Sequence, residues 1–484
     1  MQPAPCTLVV GLSYGDEGKG ATIDSLTRQA RRQGWDQPAL IVRFNGGPQA
    51  AHHVVTPAGQ RHCFAQFGAG TLVAGTRTLL SQSMLIEPLA ILREAQALAD
   101  LGVVRPLRQL TIDRRCIVVT PFHKIVNRMQ ELARRDDRHG SCGLGVGQAW
   151  LDSQRRGVPT LRIGDADDPA RLRAALRFLQ LCKVDLAEQI VDAHPDLPAL
   201  RSLLDDLRAR DWVDGLSAAY ADLLAGVDGL DDGTRLRAAL TDPLQPVLFE
   251  GAQGVLLDAV HGFFPYVTPS RTTFRNALSL IDQAGANARP IARLGVLRAY
   301  ATRHGPGPFV TEDATLAEQL PEAHNGHNAW QGTMRVGWFD AVAARYALSV
   351  LGDIDGVVLT HTDRLAGLPC VRVATHHQSA RAPAPLRDLG RQDEPPIDAL
   401  MGAEWQAAQR QRTIDLQAHR PVYVDLPGWP ARAAHDDLPA ALQAFVDRLQ
   451  HELGAPIVRL AYGPCGDDQR PLAKSPSVTT LAGG

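Results

Sequence analysis

Short apolar runs alternate with longer stretches whose apolar residues recur at helical spacing along nearly the whole chain. The first run, Thr7 to Gly11 (TLVVG), leads into a glycine-rich turn, Gly15 to Gly20 (GDEGKG). A helical pattern follows to about Arg32, and a second run spans Ala39 to Phe44 (ALIVRF). Pro246 to Glu250, Gly295 to Ala301, Gly356 to Thr360 and Ile457 to Ala461 are further candidates for buried strands. Helical patterns recur near 87–100, 122–135, 338–350 and 436–452. This alternation predicts an α/β fold with a large, mainly parallel central sheet flanked by helices. Residues 167–240 are rich in Leu, Ala, Arg and Asp, with few β-branched types, and predict a helical excursion acting as lid or outer layer. The Pro-, Arg- and Asp-rich stretch 376–398 reads as a surface loop that includes His376 and His377. One catalytic domain over 1–466 and a flexible tail over 467–484 complete the expected organisation.

Composition narrows the partners. The chain has 484 residues, 45% hydrophobic and 21% charged, an ordinary globular balance with material for one large core or two adjoining ones. A net charge of −2 provides no bulk attraction for a polyanion, so no nucleic-acid partner is expected. Local phosphate sites need only a few donors and stay open. No apolar run approaches the ~18 residues of a membrane span. The opening Met1-Gln2-Pro3-Ala4-Pro5-Cys6 lacks the basic and apolar parts of a signal peptide. Seven scattered cysteines without paired spacing read as reduced thiols, and a cytoplasmic location is expected.

The glycine-rich turn is the first site of chemistry. Backbone N–H groups between a strand and a helix start converge on one spot, where the helix dipole favours an anion. Lys19 adds a point charge for a phosphate. An ordinary P-loop is excluded, because Ser13 stands where the first glycine is needed and Gly20 follows the lysine instead of Ser or Thr. Asp16 inside such a turn repels a phosphate unless a cation or a proton transfer involves it. The motif therefore points to Mg²⁺ coordination, general-base work, or both. A tight turn with solvent-facing charges is the plainer alternative.

The second segment, Val42-Arg43-Phe44-Asn45-Gly46-Gly47-Pro48-Gln49-Ala50-Ala51-His52-His53, carries a histidine out of a Gly-rich loop after a strand. Together with GDEGKG, this VRxxGG…H pattern resembles adenylosuccinate synthetase. Phe249 to Thr268 (FEGAQGVLLDAVHGFFPYVT) is a long match to the same family. Ala301 to Phe309 (ATRHGPGPF) is similar to its STRVGAGPF, Gly337 to Asp340 (GWFD) to its GWLD, and Thr360 to Asp363 (THTD) to its TKLD. The matching blocks keep the family order from about residue 7 to Pro464.

The resemblance implies a GTP-dependent ligase that phosphorylates the 6-oxygen of IMP and lets an amino-acid amine displace that phosphate. A lactam oxygen leaves poorly, and phosphorylation makes it a good leaving group. By resemblance, Asp16 is the base that takes the purine N1 proton and holds Mg²⁺, and Ala51 supplies a metal-binding carbonyl where the family has glycine. His52 is the general acid, Lys19 belongs to the phosphate cradle with Gly15, Gly18 and Gly20, and Gln253 stabilises the 6-oxyanion. Gln49, Cys142 and Thr268 fall at nucleotide-binding positions. Arg155 matches an arginine that reaches the neighbouring subunit's IMP, which implies a homodimer. Asp363 reads guanine, and Gly463-Pro464 closes that base site.

The amino-acid site departs from the family pattern. A loop normally reading TTGRxRR is Ala329-Trp330-Gln331-Gly332-Thr333-Met334-Arg335, so two arginine positions have become Gly332 and Met334. Another arginine, in TTGRGIGP, has become Leu144, and the asparagine of GHNAGHT has become Gln49. His361 replaces the family's lysine beside Asp363. The activation residues are kept while donors for a dicarboxylate are lost, each worth roughly 1.5–3 kcal/mol. Arg271 and Arg335 are the cations left for aspartate, and Trp330, Met334, Leu144 and Cys142 predict a more apolar pocket for a less charged amine. The resemblance admits IMP, a deoxy form or a 2-amino form such as GMP as the purine. Two competing expectations are a weakened nucleotide-binding or regulatory paralogue and a purine 6-oxygen kinase or GTPase without ligation. His324 and His327 read as solvent-facing loop residues, His261 as a loop-shaping one, and Arg134, Arg135 and Arg138 as a solvated helix end.

Overall fold

The structure is a computed structural model that describes residues 5–35, 37–155, 157–209, 211–321, 328–379, 387–390, 402–430 and 438–472. A ten-stranded sheet forms its centre. Across the sheet the strands run Gln469–Pro471, Ile457–Ala461, Gly356–Thr360, Ala292–Arg298, Cys6–Gly11, Val247–Gly254, Leu40–Arg43, Arg77–Leu80, Leu110–Asp113 and Gly229–Asp231. Every neighbouring pair is parallel except the antiparallel edge pair Ile457–Ala461 with Gln469–Pro471.

The middle strands are apolar on both faces, as a sheet covered by helices requires. Cys6–Gly11 is buried at every position. Lys19–Arg32, Pro88–Asp100 and Pro121–Ala133 pack Ile23, Ile91, Leu98, Phe122 and Met129 into one apolar cluster with Val9, Ile41 and Leu80. A second cluster joins Ala341–Leu351 and Ala440–Leu453 to the opposite half of the sheet through Ala347, Phe445 and Leu449. Composition allowed one large core or two adjoining ones; the described residues form two large clusters with two smaller ones beside them.

The excursion forms three helices, Pro169–Ala193, Pro198–Arg208 and Trp212–Gly226. It returns to the sheet earlier than expected, because Gly229–Asp231 pairs with Leu110–Asp113 before another helix, Thr234–Thr241. The tail expectation also needs correction: Gly466–Asp468 is a 3₁₀ turn and Gln469–Pro471 is a strand, held by Tyr462 N–H donating to Asp468 O. Residues 473–484 lie outside the described set. The expected loop at 376–398 begins as strand: Cys370–Gln378 pairs with Arg420–Pro427, and His377 is fully buried against Asp340 at 3.1 Å. A polar histidine pair reads as loop in sequence, whereas a buried carboxylate partner supports one of the two in a strand. Among the described residues, no helix is long and apolar enough to cross a membrane.

Candidate active site

Parallel strands present their carboxyl ends on one edge of a sheet, where ligands of such folds bind. Here that edge gathers the loops after Cys6–Gly11, Leu40–Arg43, Val247–Gly254, Ala292–Arg298 and Gly356–Thr360.

The glycine-rich turn is folded from within by Glu17, only 1% exposed. Its carboxylate accepts the N–H groups of Ser13 and Gly15, each at 2.9 Å, and the Lys19 ammonium at 2.5 Å. Close packing dictates the glycines around it. A Cβ on Gly254 would stand 2.2 Å from Ser13 O and 2.5 Å from Glu17 Oε1. One on Gly20 would stand 2.7 Å from His52 Cβ, so the helix start and the histidine share a single packed contact.

Three non-glycine residues here adopt left-handed backbone: Asp16 (φ 61°), Gln253 (φ 57°) and His361 (φ 59°). Such strain persists where surrounding structure over-determines it, and it gathers at functional sites. Arg298 holds Asp16 in place, donating from Nη1 to the Asp16 carboxylate at 3.1 Å and to its carbonyl at 3.3 Å. The guanidinium is buried, hydrogen-bonds Tyr300 OH and lies 4.5 Å over the Tyr300 ring.

His52 is held by Glu250. Nδ1 lies 2.5 Å from Glu250 Oε1, and Glu250 Oε2 accepts the Ala69 N–H at 2.9 Å. Glu250 sits opposite Arg43 in strand register, and both are completely buried. Burial alone would raise the Glu250 pKa, but Arg43 and then His52 bring it below the usual value. Burial lowers the His52 pKa to about 4 against the opposing pull of Glu250. The pair therefore rests as an ionised carboxylate and a neutral imidazole whose Nδ1–H points at Glu250, which leaves the proton off Nε2.

These groups border one cleft of about 630 Å³. Of the expected residues, Gly15, Asp16, Lys19, Gln49, Ala51, His52, Cys142, Gln253 and Thr268 line it. Gln49 Oε1 and Gln253 Oε1 are buried there with no hydrogen-bond partner, so two oriented polar atoms await one. A Mg²⁺ ion suits this donor set, with Asp16 and the Ala51 carbonyl as hard oxygen ligands. Among the described residues no group of three or more His, Cys, Asp or Glu forms a metal cage. Mg²⁺ commonly takes only one or two protein carboxylates and shares the rest of its shell with phosphate and water.

The expected base site lies apart from the cleft but beside the turn. A Cβ on Gly18 would stand 3.3 Å from His361 Cε1 and 3.4 Å from Thr360 Cγ2, and Asp363 lies in the next turn, Thr362–Leu365. Burial raises the Asp363 pKa and drives that of His361 well below its ordinary value. Thr362 Oγ1 donates to Ala461 O at 2.8 Å, which ties this turn to the loop of Gly463 and Pro464. Arg155 is exposed at the end of Val146–Gln154 and does not line its own chain's cleft.

The amino-acid loop differs most from expectation. Arg335 is no available cation: it pairs with both oxygens of Glu312 and donates to the carbonyls of Gly305 and Gly307. Arg271 lies 3.9 Å from Asp258 and does not reach the cleft. Met334 is buried, Gly332 forms a tip at φ 89°, and Ala329 is exposed. Trp330 packs onto Gly143, and of the four residues expected to make an apolar pocket only Cys142 lines the cleft, while Trp330, Met334 and Leu144 do not. His324 and His327 lie outside those residues. Arg134, read as solvated, lines the cleft and pairs with Glu131 at 2.8 Å.

Sequence reasoning gave no role to Glu17, Arg43, Glu250, Arg298 or Arg303. For Arg43, Glu250 and Arg298 the signal was a charge inside an apolar run, as in LIVR, VLFEG and GVLR, since such a charge stays buried only with partners; Glu17 and Arg303 carried no such signal.

Comparison with known proteins agrees with this architecture. The family model for adenylosuccinate synthetase matches residues 8–469. The chain is 33% identical over 471 residues to the adenylosuccinate synthetase of Ectopseudomonas mendocina, covering 94% of this chain and 96% of the relative. The Anaeromyxobacter dehalogenans enzyme of the same name is 32% identical over 471 residues, covering 95% and 96%. In fold, the chain resembles fully ligated adenylosuccinate synthetase from Plasmodium falciparum, with a TM-score of 0.76, 21% identity and coverage of 96% and 99%. It also resembles the cyanophage S-2L succinoaminodeoxyadenylate synthetase bound to dGMP and dATP, with a TM-score of 0.56, 17% identity and coverage of 99% and 97%. The chain belongs to the adenylosuccinate synthetase family, whose members are GTP-dependent ligases that form a carbon–nitrogen bond.

Proposed function

We propose that this chain transfers the γ-phosphoryl group of GTP to the 6-oxygen of IMP or a closely related purine nucleotide, then joins an amine at that carbon. The observation that carries this reading is the convergence of Asp16, Lys19, His52 and Gln253 on one cleft, with His52 held by Glu250.

In the first step the Asp16 carboxylate removes the N1 proton, and the electron pair moves to the 6-oxygen. Gln253 donates to that oxygen from its amide. The oxygen attacks the γ-phosphorus, the bond to the β-phosphate oxygen breaks, and GDP departs. His52 donates from Nε2 to the transferring phosphoryl group, and Lys19 offsets its charge. That role needs a proton on Nε2, which the neutral resting imidazole gains when an anion sits beside it. Mg²⁺, held by Asp16 and the Ala51 carbonyl, would neutralise the phosphate oxygens. In the second step an amine attacks C6, the C6–oxygen bond breaks, and inorganic phosphate leaves with the proton that the amine nitrogen loses. Asp363 and the Gly463-Pro464 turn receive the guanine of GTP, and Arg155 reaches the purine nucleotide of a partner subunit in a homodimer.

The test is phosphate release from GTP with IMP, Mg²⁺ and each common amino acid in turn, with product mass recorded. A purine nucleotide bearing the amine supports the ligase. Binding of GTP and IMP without phosphate transfer or turnover overturns it in favour of a regulatory binding protein.

A further inference from the structure

We infer that the amine donor of this ligase is an amino acid with an uncharged side chain, and that Trp330 fixes the choice by locking the hairpin tip Asn328–Gly332 against Gly143. The inference rests on the ligase reading above and concerns its least conventional corner.

The lock is assembled from three contacts. The Trp330 ring lies so close to Gly143 that a Cβ there would stand 2.9 Å from Trp330 Cγ. Arg128 places its guanidinium 5.3 Å over the indole and donates from Nε to Gly143 O at 3.2 Å, joining both partners. Arg138 donates to Ala329 O at 3.3 Å. An aromatic ring clasped between a glycine and a guanidinium is a stable, specific contact. It fixes the tip against the loop that carries Ser141, Cys142 and Gly143.

So fixed, the tip has little to offer a second carboxylate. Asn328 and Gly332 exchange backbone hydrogen bonds at 3.0 and 2.8 Å. The N–H groups of Trp330 and Gln331 both donate to Asn328 Oδ1, at 2.9 and 3.1 Å. The tip therefore spends its own donors internally. Its cleft-lining residues, Asn328 and Gln331, carry neutral amides, and His139, Ser141 and Cys142 line the same cleft. Burial, followed by Arg134, lowers the His139 pKa to about 4, so that imidazole is neutral too.

Of the described Lys and Arg lining the cleft, Lys19 pairs with Glu17 and Arg134 with Glu131, while Arg303 keeps its charge but donates from Nε and Nη1 to the carbonyls of Pro306 and Pro308 and lies 4.1 Å over the Tyr14 ring. Positive charge released from these pairs meets two phosphorylated nucleotides first. A side-chain carboxylate on the donor would meet, among the described residues lining the cleft, only cations already engaged by other groups, and it would sit beside two polyanions. An uncharged polar side chain meets amides and hydroxyls that suit it.

The experiment is steady-state turnover with IMP, GTP and Mg²⁺ across glycine, alanine, serine, asparagine, aspartate and glutamate, for wild type, Trp330→Ala and Trp330→Phe. Scrambling of the GTP β,γ-bridge oxygen with IMP and no amine reports the first step by itself. The expected result is kcat/KM for a neutral donor roughly 100-fold or more above that for aspartate. Trp330→Ala should raise the neutral donor's KM about tenfold with the KM values for GTP and IMP unchanged, and Trp330→Phe should restore most of the loss. Aspartate as best donor, or a Trp330→Ala enzyme with wild-type donor preference, overturns the inference while leaving the ligase intact. Scrambling without any productive amine also overturns it. Absence of both scrambling and turnover overturns the ligase reading, and the inference with it.

Discussion

Replacing Glu250 with Gln tests how the His52 pair works. The carboxylate is an acceptor at both oxygens, and it serves two donors, His52 Nδ1–H at 2.5 Å and Ala69 N–H at 2.9 Å. A glutamine has one acceptor oxygen, so its NH₂ must face either the backbone N–H or the imidazole. In the first case a buried donor is orphaned, at about 1–3 kcal/mol. In the second the imidazole is forced into the opposite tautomer, with Nδ1 as acceptor, and the charge-assisted bond is lost. The completely buried Arg43 loses its carboxylate in either case. These terms predict a stability loss of about 2–3 kcal/mol and a kcat lower by roughly 100-fold. The KM values for GTP and purine nucleotide should change less than about threefold, because His52 acts on the transferring group and not on the bound ground states. Single-turnover phosphoryl transfer, with a thermal melt as folding control, measures both. Glu250→Asp, which restores two acceptor oxygens on a shorter arm, should recover part of the rate. A folded Glu250→Gln enzyme with wild-type kcat would refute the reasoning.

Asp16→Asn keeps an acceptor for Arg298 and tolerates left-handed backbone, so it should fold normally while kcat falls by roughly 10²–10⁴-fold; full activity would remove Asp16 as the base. Arg155→Leu should weaken purine-nucleotide binding by about tenfold or more at an unchanged melting temperature, and calorimetric affinity equal to wild type would exclude a role in trans. The His52 pKa is about 4 in the fold and 6.5 ordinarily, so the unfolded chain binds more protons between those values. Its contribution to stability is thus present above about pH 6.5 and falls by up to ~3 kcal/mol as pH drops through 4. Acid unfolding followed by circular dichroism should show a shallower loss for His52→Gln, and identical curves would contradict the burial argument.

Much of the architecture was legible because strand periodicity and apolar runs are local. Gly356–Thr360 and Ile457–Ala461 fall where the pattern put them, and the first helix ends at Arg32. The errors came where a partner far along the chain decides the outcome. Gly229–Asp231 is a strand because Leu110–Asp113 offers an open edge, and Gln469–Pro471 because Ile457–Ala461 does. The cleft-lining glycine-turn residues could be read from chemistry, since an acidic residue in a phosphate-binding turn is unusual. The fate of Arg335 could not: nothing in the sequence says that Glu312, 23 residues earlier, occupies its guanidinium. The orientation of Trp330 was equally hidden, because it depends on a glycine and an arginine in another loop.

The order of strands in the sheet has a consequence for how the protein is made. Cys6–Gly11 and Val247–Gly254 are neighbours at its centre, and His52 meets Glu250 across 198 residues. A nascent chain that has not yet reached Val247 has its phosphate turn and its histidine but no strand to seat them against. Contacts of such separation form late and slowly. N-terminal fragments, whether from stalled synthesis or proteolysis, therefore lack Glu250, the partner of His52, and the cleft wall that carries Gln253 and Thr268. On the proposed chemistry, a chain cut before Val247 is expected to release no phosphate from GTP, so a truncated product would be silent.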